Sequence, residues 1–274
     1  MDRPGLTRPL WLFGLLMSAL LLAACEGEPT PFPAELPPTL APTAASTDPP
    51  PVRYAITADS AGGVLERTAL EAAHVVEVLT APPDPADLGP RYDVVAGYGL
   101  YDGWQTGPVR PLVLLVANPA VPPLDASSAA LALRAVDPTA LIEQMGLPGA
   151  EAVAGEAALP AAAIRETLAN AGRPDGLGLV LGLVHAPGET AVQAALDRAN
   201  IRTRLVRFDD EAAARAAWDE GRVHLLLALV APDDAAAWRD GPHRDLFTLP
   251  ISYNAVDGLR IDFTPGGWPL ASRE

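Results

Sequence analysis

From residue 53 onward, short apolar runs alternate with stretches in which apolar residues recur every three or four positions. The runs predict strands, and the three-to-four spacing predicts helices with one buried face. RYAITA (53–58) predicts a strand, and GGVLERTALEAAH (62–74) a helix with Leu65, Ala69, Ala72 and Ala73 aligned. VVEVLT (75–80), YDVVAG (92–97) and PLVLLVANP (111–119) predict further strands, the last long and apolar enough to be buried. Residues 127–145 and 160–171 predict helices, separated by a Gly- and Pro-containing stretch around 146–155.

The pattern is clearest from 179 to 230. LVLGLV (179–184) is a continuous apolar strand, and ETAVQAALDRAN (189–200) a helix with Val192, Ala195, Leu196 and Ala199 on one side. RTRLVRF (202–208) alternates polar with apolar. DDEAAARAAWDEG (209–221) opens on acidic residues that suit a helix N-terminus and closes at Gly221. VHLLLALV (223–230) is apolar enough to be covered on both faces. This βαβαβ order predicts an α/β fold with mostly parallel sheets and right-handed crossovers.

The first 52 residues follow a different pattern. Arg3 and Arg8 precede WLFGLLMSALLLAA (11–24), which carries no charge and ends in small residues before Cys25, the sole cysteine of the chain. That is the layout of a secretory signal, and its apolar run falls short of the ~20 residues of a spanning helix. Leu22-Ala23-Ala24-Cys25 resembles the bacterial lipobox, which implies cleavage before Cys25, its lipidation and an extracytoplasmic address on the cell membrane. An ordinary secretory signal with an incidental cysteine is the alternative. Residues 26–51 hold nine prolines and few large apolar groups, so they predict an extended tether of ~3.1 Å per residue. The expected organisation is a signal at 1–24, a tether at 25–52 and a folded domain at 53–274.

Composition narrows the chemistry. The chain has no lysine, which excludes a P-loop or a Schiff-base mechanism. From residue 53 on, 17 Arg stand against 29 Asp plus Glu, a poor balance for nucleic acid. His74, His185, His224 and His243 form no HExxH pair, and no GxSxG turn occurs, so neither a metal nor a cofactor nor catalytic residues are expected. Gly97, Gly99 and Gly103 echo a dinucleotide turn, but the WQTGPVRP that follows is a poor helix. His224 reads as a satisfied core or edge residue, His185 as a strand-end residue able to face a cleft. Arg198, Arg202, Arg204 and Arg207, beside Asp197, Asp209 and Asp210, read as a solvated mixed-charge face.

Several segments carry a family resemblance. YAITADSAGGVLERTALEAA, YDVVAGYG with PLVLLVANP, HAPGETAVQAALDRANI with DDEAAARAAWDEGRVHLLLALV, and the ending Gly267-Trp268-Pro269-Leu270-Ala271-Ser272-Arg273 together resemble the type 2 periplasmic-binding-protein fold of ABC importers, on the phosphate-type side. The resemblance implies two lobes, about 53–118 plus 247–274 and about 119–246, closing on a small solute. It implies ligand contacts from Asp59, Ser60 and Gly62, from Tyr98, Trp104, Gln105 and Thr106, from Gly188, Glu189 and Thr190, and from Ser252 and Tyr253. Glu189 departs from the family's Gly-Ser-Gly-Thr-like run, and its charge at a helix start disfavours phosphate or sulfate. The implied role is a monomeric, non-enzymatic, lipid-anchored solute-binding protein with an ABC permease or other membrane partner. A non-transporting sensor or protein scaffold is the alternative, and an exported enzyme the third reading.

Overall fold

The computed structural model describes residues 50–58 and 63–273. The chain divides into Met1–Thr47 and Asp48–Glu274, and the described residues belong to the second unit. The signal segment, Cys25 and the tether up to residue 49 lie outside them, as do Asp59, Ser60 and Gly62.

Two mixed sheets organise the unit. The first contains β1 (Arg53–Thr57), β2 (Val75–Leu79), β3 (Val94–Tyr98), β4 (Gln105–Thr106) and β11 (Ile251–Ala255), in the order β2-β1-β3-β11-β4. The second contains β5 (Leu112–Ala117), β6 (Glu151–Ala152), β7 (Leu177–Val184), β8 (Ile201–Phe208), β9 (Leu225–Val230) and β10 (His243–Thr248), in the order β6-β10-β5-β9-β7-β8. Each sheet has a parallel triplet, β2-β1-β3 and β9-β7-β8, extended by antiparallel strands. The parallel strands are those joined through helices. Among the antiparallel strands, β4, β5, β10 and β11 lie where the chain passes between the sheets without a helix, and the two-residue β6 sits at the second sheet's edge between α3 (Pro138–Met145) and α4 (Ala161–Asn170). A hairpin of β12 (Leu259–Phe263) and β13 (Pro269–Arg273) follows.

The reason for the apolar runs at β5 and β9 is plain. All six residues of each are buried. Val113 and Leu115 of β5, with Leu227 and Leu229 of β9, pack into the main core beneath α2 (Ala126–Arg134), α4 (Ala161–Asn170) and α5 (Glu189–Arg198). Leu112, Leu114, Leu226 and Ala228 point the other way, against α6 (Glu211–Asp219) and Trp238. A strand covered on both faces has no polar side to show. β5 pairs with β9 and β10, in the second sheet. The sequence reading gave 111–118 to the first lobe, and the structure moves the changeover back to 107–111. The return passes at Leu249 and Pro250, and the two passages are tied by Leu249 N–H donating to the Pro111 carbonyl at 3.0 Å.

Helix boundaries follow local chemistry. The helix expected over 62–74 starts only at α1 (Arg67–Ala73), because Glu66 adopts φ 57 and turns the chain. The helix expected over 127–145 is two helices, α2 and α3 (Pro138–Met145). Asp137 accepts from Thr139 N at 3.0 Å, and Pro138 cannot continue a preceding helix but suits a first turn. Asp125 and Ser128 form a reciprocal capping box at the start of α2.

Candidate functional site

The carboxyl ends of five parallel strands converge on one cleft of about 700 Å³. Thr57 and Ala58 end β1, Thr80 follows β2, and Tyr98 ends β3, all from the first sheet. From the second sheet come Leu183 and His185 at the end of β7, and Arg207 and Phe208 at the end of β8. The end of α3 contributes Gln144 and Met145, and the start of α5 contributes Gly188, Glu189, Thr190 and Ala191. Open parallel sheets place their loops, and so their binding groups, at this end. The volume falls within the range that accepts drug-sized molecules, roughly 300–1,000 Å³.

On the first-sheet wall, Tyr98 is buried and its hydroxyl is fixed at both ends. It accepts from Leu65 N–H at 3.2 Å and donates to the Gly63 carbonyl at 3.1 Å. Burial pushes its phenol well above the usual tyrosine range, so it is a neutral group at any physiological pH. Its ring lies 4.9 Å from that of the buried Trp268. Tyr101 donates to the Tyr98 carbonyl at 3.0 Å and reaches the cleft from the following loop. Thr57 is different. Its residue is 9% exposed, and its Oγ1 is buried with no hydrogen-bond partner among the described residues.

On the second-sheet wall, Gly188 stands before α5 with φ 87, a conformation that glycine alone adopts cheaply. A Cβ there would sit 2.3 Å from Met145 Sδ, so the glycine also lets α3 and α5 close up. No side chain caps α5. The Glu189 carboxylate is taken instead by Arg207, whose Nε donates to Oε2 at 3.2 Å while Nη2 meets Oε1. Arg202, Arg204 and Arg207 are exposed, as a solvated mixed-charge face requires, and Arg207 in addition reaches the cleft wall. His185 carries φ 55, a strained backbone for a non-glycine residue of the kind that collects at functional sites. His224 lies on another side of β7. Its Nδ1 accepts from Val180 N–H at 3.0 Å and its Nε2 meets the Pro122 carbonyl at 2.9 Å, so both ring nitrogens are satisfied.

Of the residues the sequence aims at a ligand, Tyr98, Gly188, Glu189 and Thr190 line the cleft together. Trp104, Gln105, Thr106, Ser252 and Tyr253 are placed elsewhere. Gln105 and Thr106 form β4 and pair with Tyr253 and Ser252 of β11. The Tyr253 hydroxyl donates to Gln105 Oε1 at 2.9 Å, and Ser252 Oγ donates to the Gly99 carbonyl at 2.6 Å, anchoring the 98–101 turn from behind. Trp104 packs against the small cluster of Ala55, Tyr92 and Val95, with its ring 4.6 Å from that of Tyr101. The sequence reading missed Thr57, Gln144, Met145 and Phe208. Thr57 had a usable signal, since it closes a predicted strand whose carboxyl end must face any site. Among the described residues, no cluster of His, Cys, Asp and Glu fits a metal ion.

No family model and no curated protein matches the chain. Among solved structures, it is similar to a dipeptide-binding protein from Pseudoalteromonas in complex with Met-Leu, with TM-score 0.48, 13% identity, and 70% of this chain aligned to 53% of that one. It is also similar to NikA from Staphylococcus aureus in complex with Ni(L-His)2, with TM-score 0.47, 11% identity, and 66% of this chain aligned to 53% of that one. A third is the ABC transporter-associated periplasmic binding protein DppA from Helicobacter pylori in complex with a peptide, with TM-score 0.45, 13% identity, and coverages of 68% and 53%. The chain thus spans about half the length of these structures.

Proposed function

We propose that this chain is a lipid-anchored, extracytoplasmic solute-binding protein of the type 2 periplasmic-binding kind, acting as the substrate-binding component of an ABC importer. The observation that carries the reading is the cleft lined from both sheets by the carboxyl ends of β1, β2, β3, β7 and β8. A solute held there by Tyr98, Gly188, Glu189, Thr190 and the neighbouring walls would draw the two sheets together about the passages at 107–111 and 249–250. That closed form is what a membrane permease would recognise. Cys25 supplies the anchor, and the tether lets a monomeric domain reach its partner. No group in the cleft is asked to make or break a covalent bond.

The test is thermal unfolding of the full chain against a library of amino acids, peptides, sugars, oxyanions and metals. A specific solute at 100 times its Kd adds about 2.7 kcal/mol of stability. The same solute should leave Thr190→Trp unshifted, because this exposed residue lines the cleft and tryptophan would fill it. Silence across the library would overturn solute binding and favour a protein scaffold.

A further inference from the structure

The charged side chains among the described cleft residues cancel each other. Glu189 stands in the first turn of α5, where a carboxylate complements the positive end of the helix. Arg207, at the end of β8, is paired to it through both Nε and Nη2. An incoming anion would have to take Arg207 from Glu189 and then sit beside that carboxylate. An incoming cation would have to take Glu189 and face the freed guanidinium. Arg207 is mostly solvent-exposed and Glu189 less so, and either exchange gives up one charge-assisted pair to form another of the same kind, so neither ion gains net charge complementarity from this wall. The rest of the wall is suited to something else. Met145, Leu147, Leu183 and Phe208 offer apolar surface, Thr80, Gln144 and Thr190 offer neutral hydrogen-bonding groups, and Thr57 adds a buried hydroxyl with no partner among the described residues.

We infer that the cleft selects an uncharged solute with an apolar part and a hydrogen-bonding end directed at Thr57, and that the Arg207–Glu189 pair is the device that leaves ions of both signs without a free counter-charge. This rests on the cleft being a solute site. It narrows the solute class beyond what the likeness to solute-binding proteins supplies. A buried unpaired hydroxyl is costly, so a ligand group that satisfies it gains what the apoprotein lacks.

Three dyes test the inference by fluorescence titration of the full chain in detergent: uncharged Prodan, anionic anilinonaphthalene sulfonate and cationic thioflavin T. Prodan is expected to bind more tightly than either ion, and Thr57→Val to weaken it. Glu189→Gln should strengthen the anionic dye several-fold relative to Prodan, and Arg207→Gln the cationic dye, since each frees one charge of a pair on a partly exposed wall. The swapped double variant, Glu189→Arg with Arg207→Glu, should restore the wild-type order, which separates charge cancellation from damage to the fold. If a charged dye binds the wild type as tightly as Prodan and Thr190→Trp abolishes that binding, the cleft is a site but not a neutral one, and the inference falls alone. An unchanged dye order in Glu189→Gln and Arg207→Gln also overturns it. If no dye binds while the solute library still yields a hit that Thr190→Trp abolishes, the inference falls alone; if both are silent, the solute-site reading falls with it.

Discussion

Asp93 is 4% exposed and meets two arginines from distant parts of the chain. Arg53 Nη2 reaches it at 2.9 Å and Arg273 Nη2 at 3.1 Å. The Arg53 guanidinium hydrogen-bonded to it holds its carboxyl below the usual aspartate range, with backbone N–H donation and Arg273 adding to the effect. A carboxylate with a depressed folded-state pKa contributes stability above its unfolded value of about 3.9 and loses it as pH falls through the folded value. Asp93→Asn should therefore lower stability at neutral pH by roughly 1–3 kcal/mol, less than a fully buried pair because both arginines are partly exposed. It should also flatten the acid limb below pH 4, read by chemical denaturation across pH. His74 governs a separate window. Burial lowers its pKa, its ring packs 4.7 Å from that of Tyr54, and its Nδ1 is buried without a hydrogen-bond partner among the described residues. Its contribution is present above the unfolded value of about 6.5 and is lost as pH falls through the lower folded value. His74→Phe should remove the slope just below pH 6.5 and leave the Asp93 limb intact.

Elements whose stability is local were legible in the sequence. The run from β7 to β9 was placed within a few residues because β7 and β9 are continuous apolar runs, β8 alternates cleanly between them, and its helices carry their own stop signals. The strands β10 to β13 escaped notice. LRIDF and HRDLFT are short and half-polar, and the partner of HRDLFT lies far away in the chain, in the pairing of β10 with β5. The same distance effect hid half the site. Gly188 to Thr190 announce themselves as a turn opening a helix, whereas Arg207 looks like any surface arginine until β8 sets it beside Glu189. Ser252 and Tyr253 were aimed at the ligand because nothing in the sequence tells which side of β11 each one faces. One turn permits a sharp prediction at this scale. Gly176 enters β7 with φ 79, and a Cβ there would lie 1.9 Å from the Asn200 carbonyl oxygen that also receives Leu177 N–H at 3.0 Å. Gly176→Ala combines left-handed strain with backbone collision, so a loss of at least about 2 kcal/mol is expected. Differential scanning calorimetry should show a Tm several degrees lower, while Gly172→Ala, with a similar φ but open space around it, should cost less.

At the scale of the molecule, the last ten residues complete the beginning of the fold. Trp268 is fully buried beside Tyr98, Ala271 N–H donates to the Tyr54 hydroxyl, and Arg273 reaches Asp93. Gly266 N–H donates to Glu66 Oε2 at 3.0 Å, fastening the hairpin to the start of α1. Deleting residues 264–274 should leave the first sheet open to protease while β5 to β10 stay protected, which limited proteolysis with mass spectrometry would show.

The two passages between the sheets lie side by side, laced by Leu249 and Pro111. A body hung on two adjacent straps keeps one easy rotation and loses the others. Its state therefore reduces to a single angle, and a pair of spin labels at Pro82 and Thr190, on opposite rims, would follow that angle with one distance.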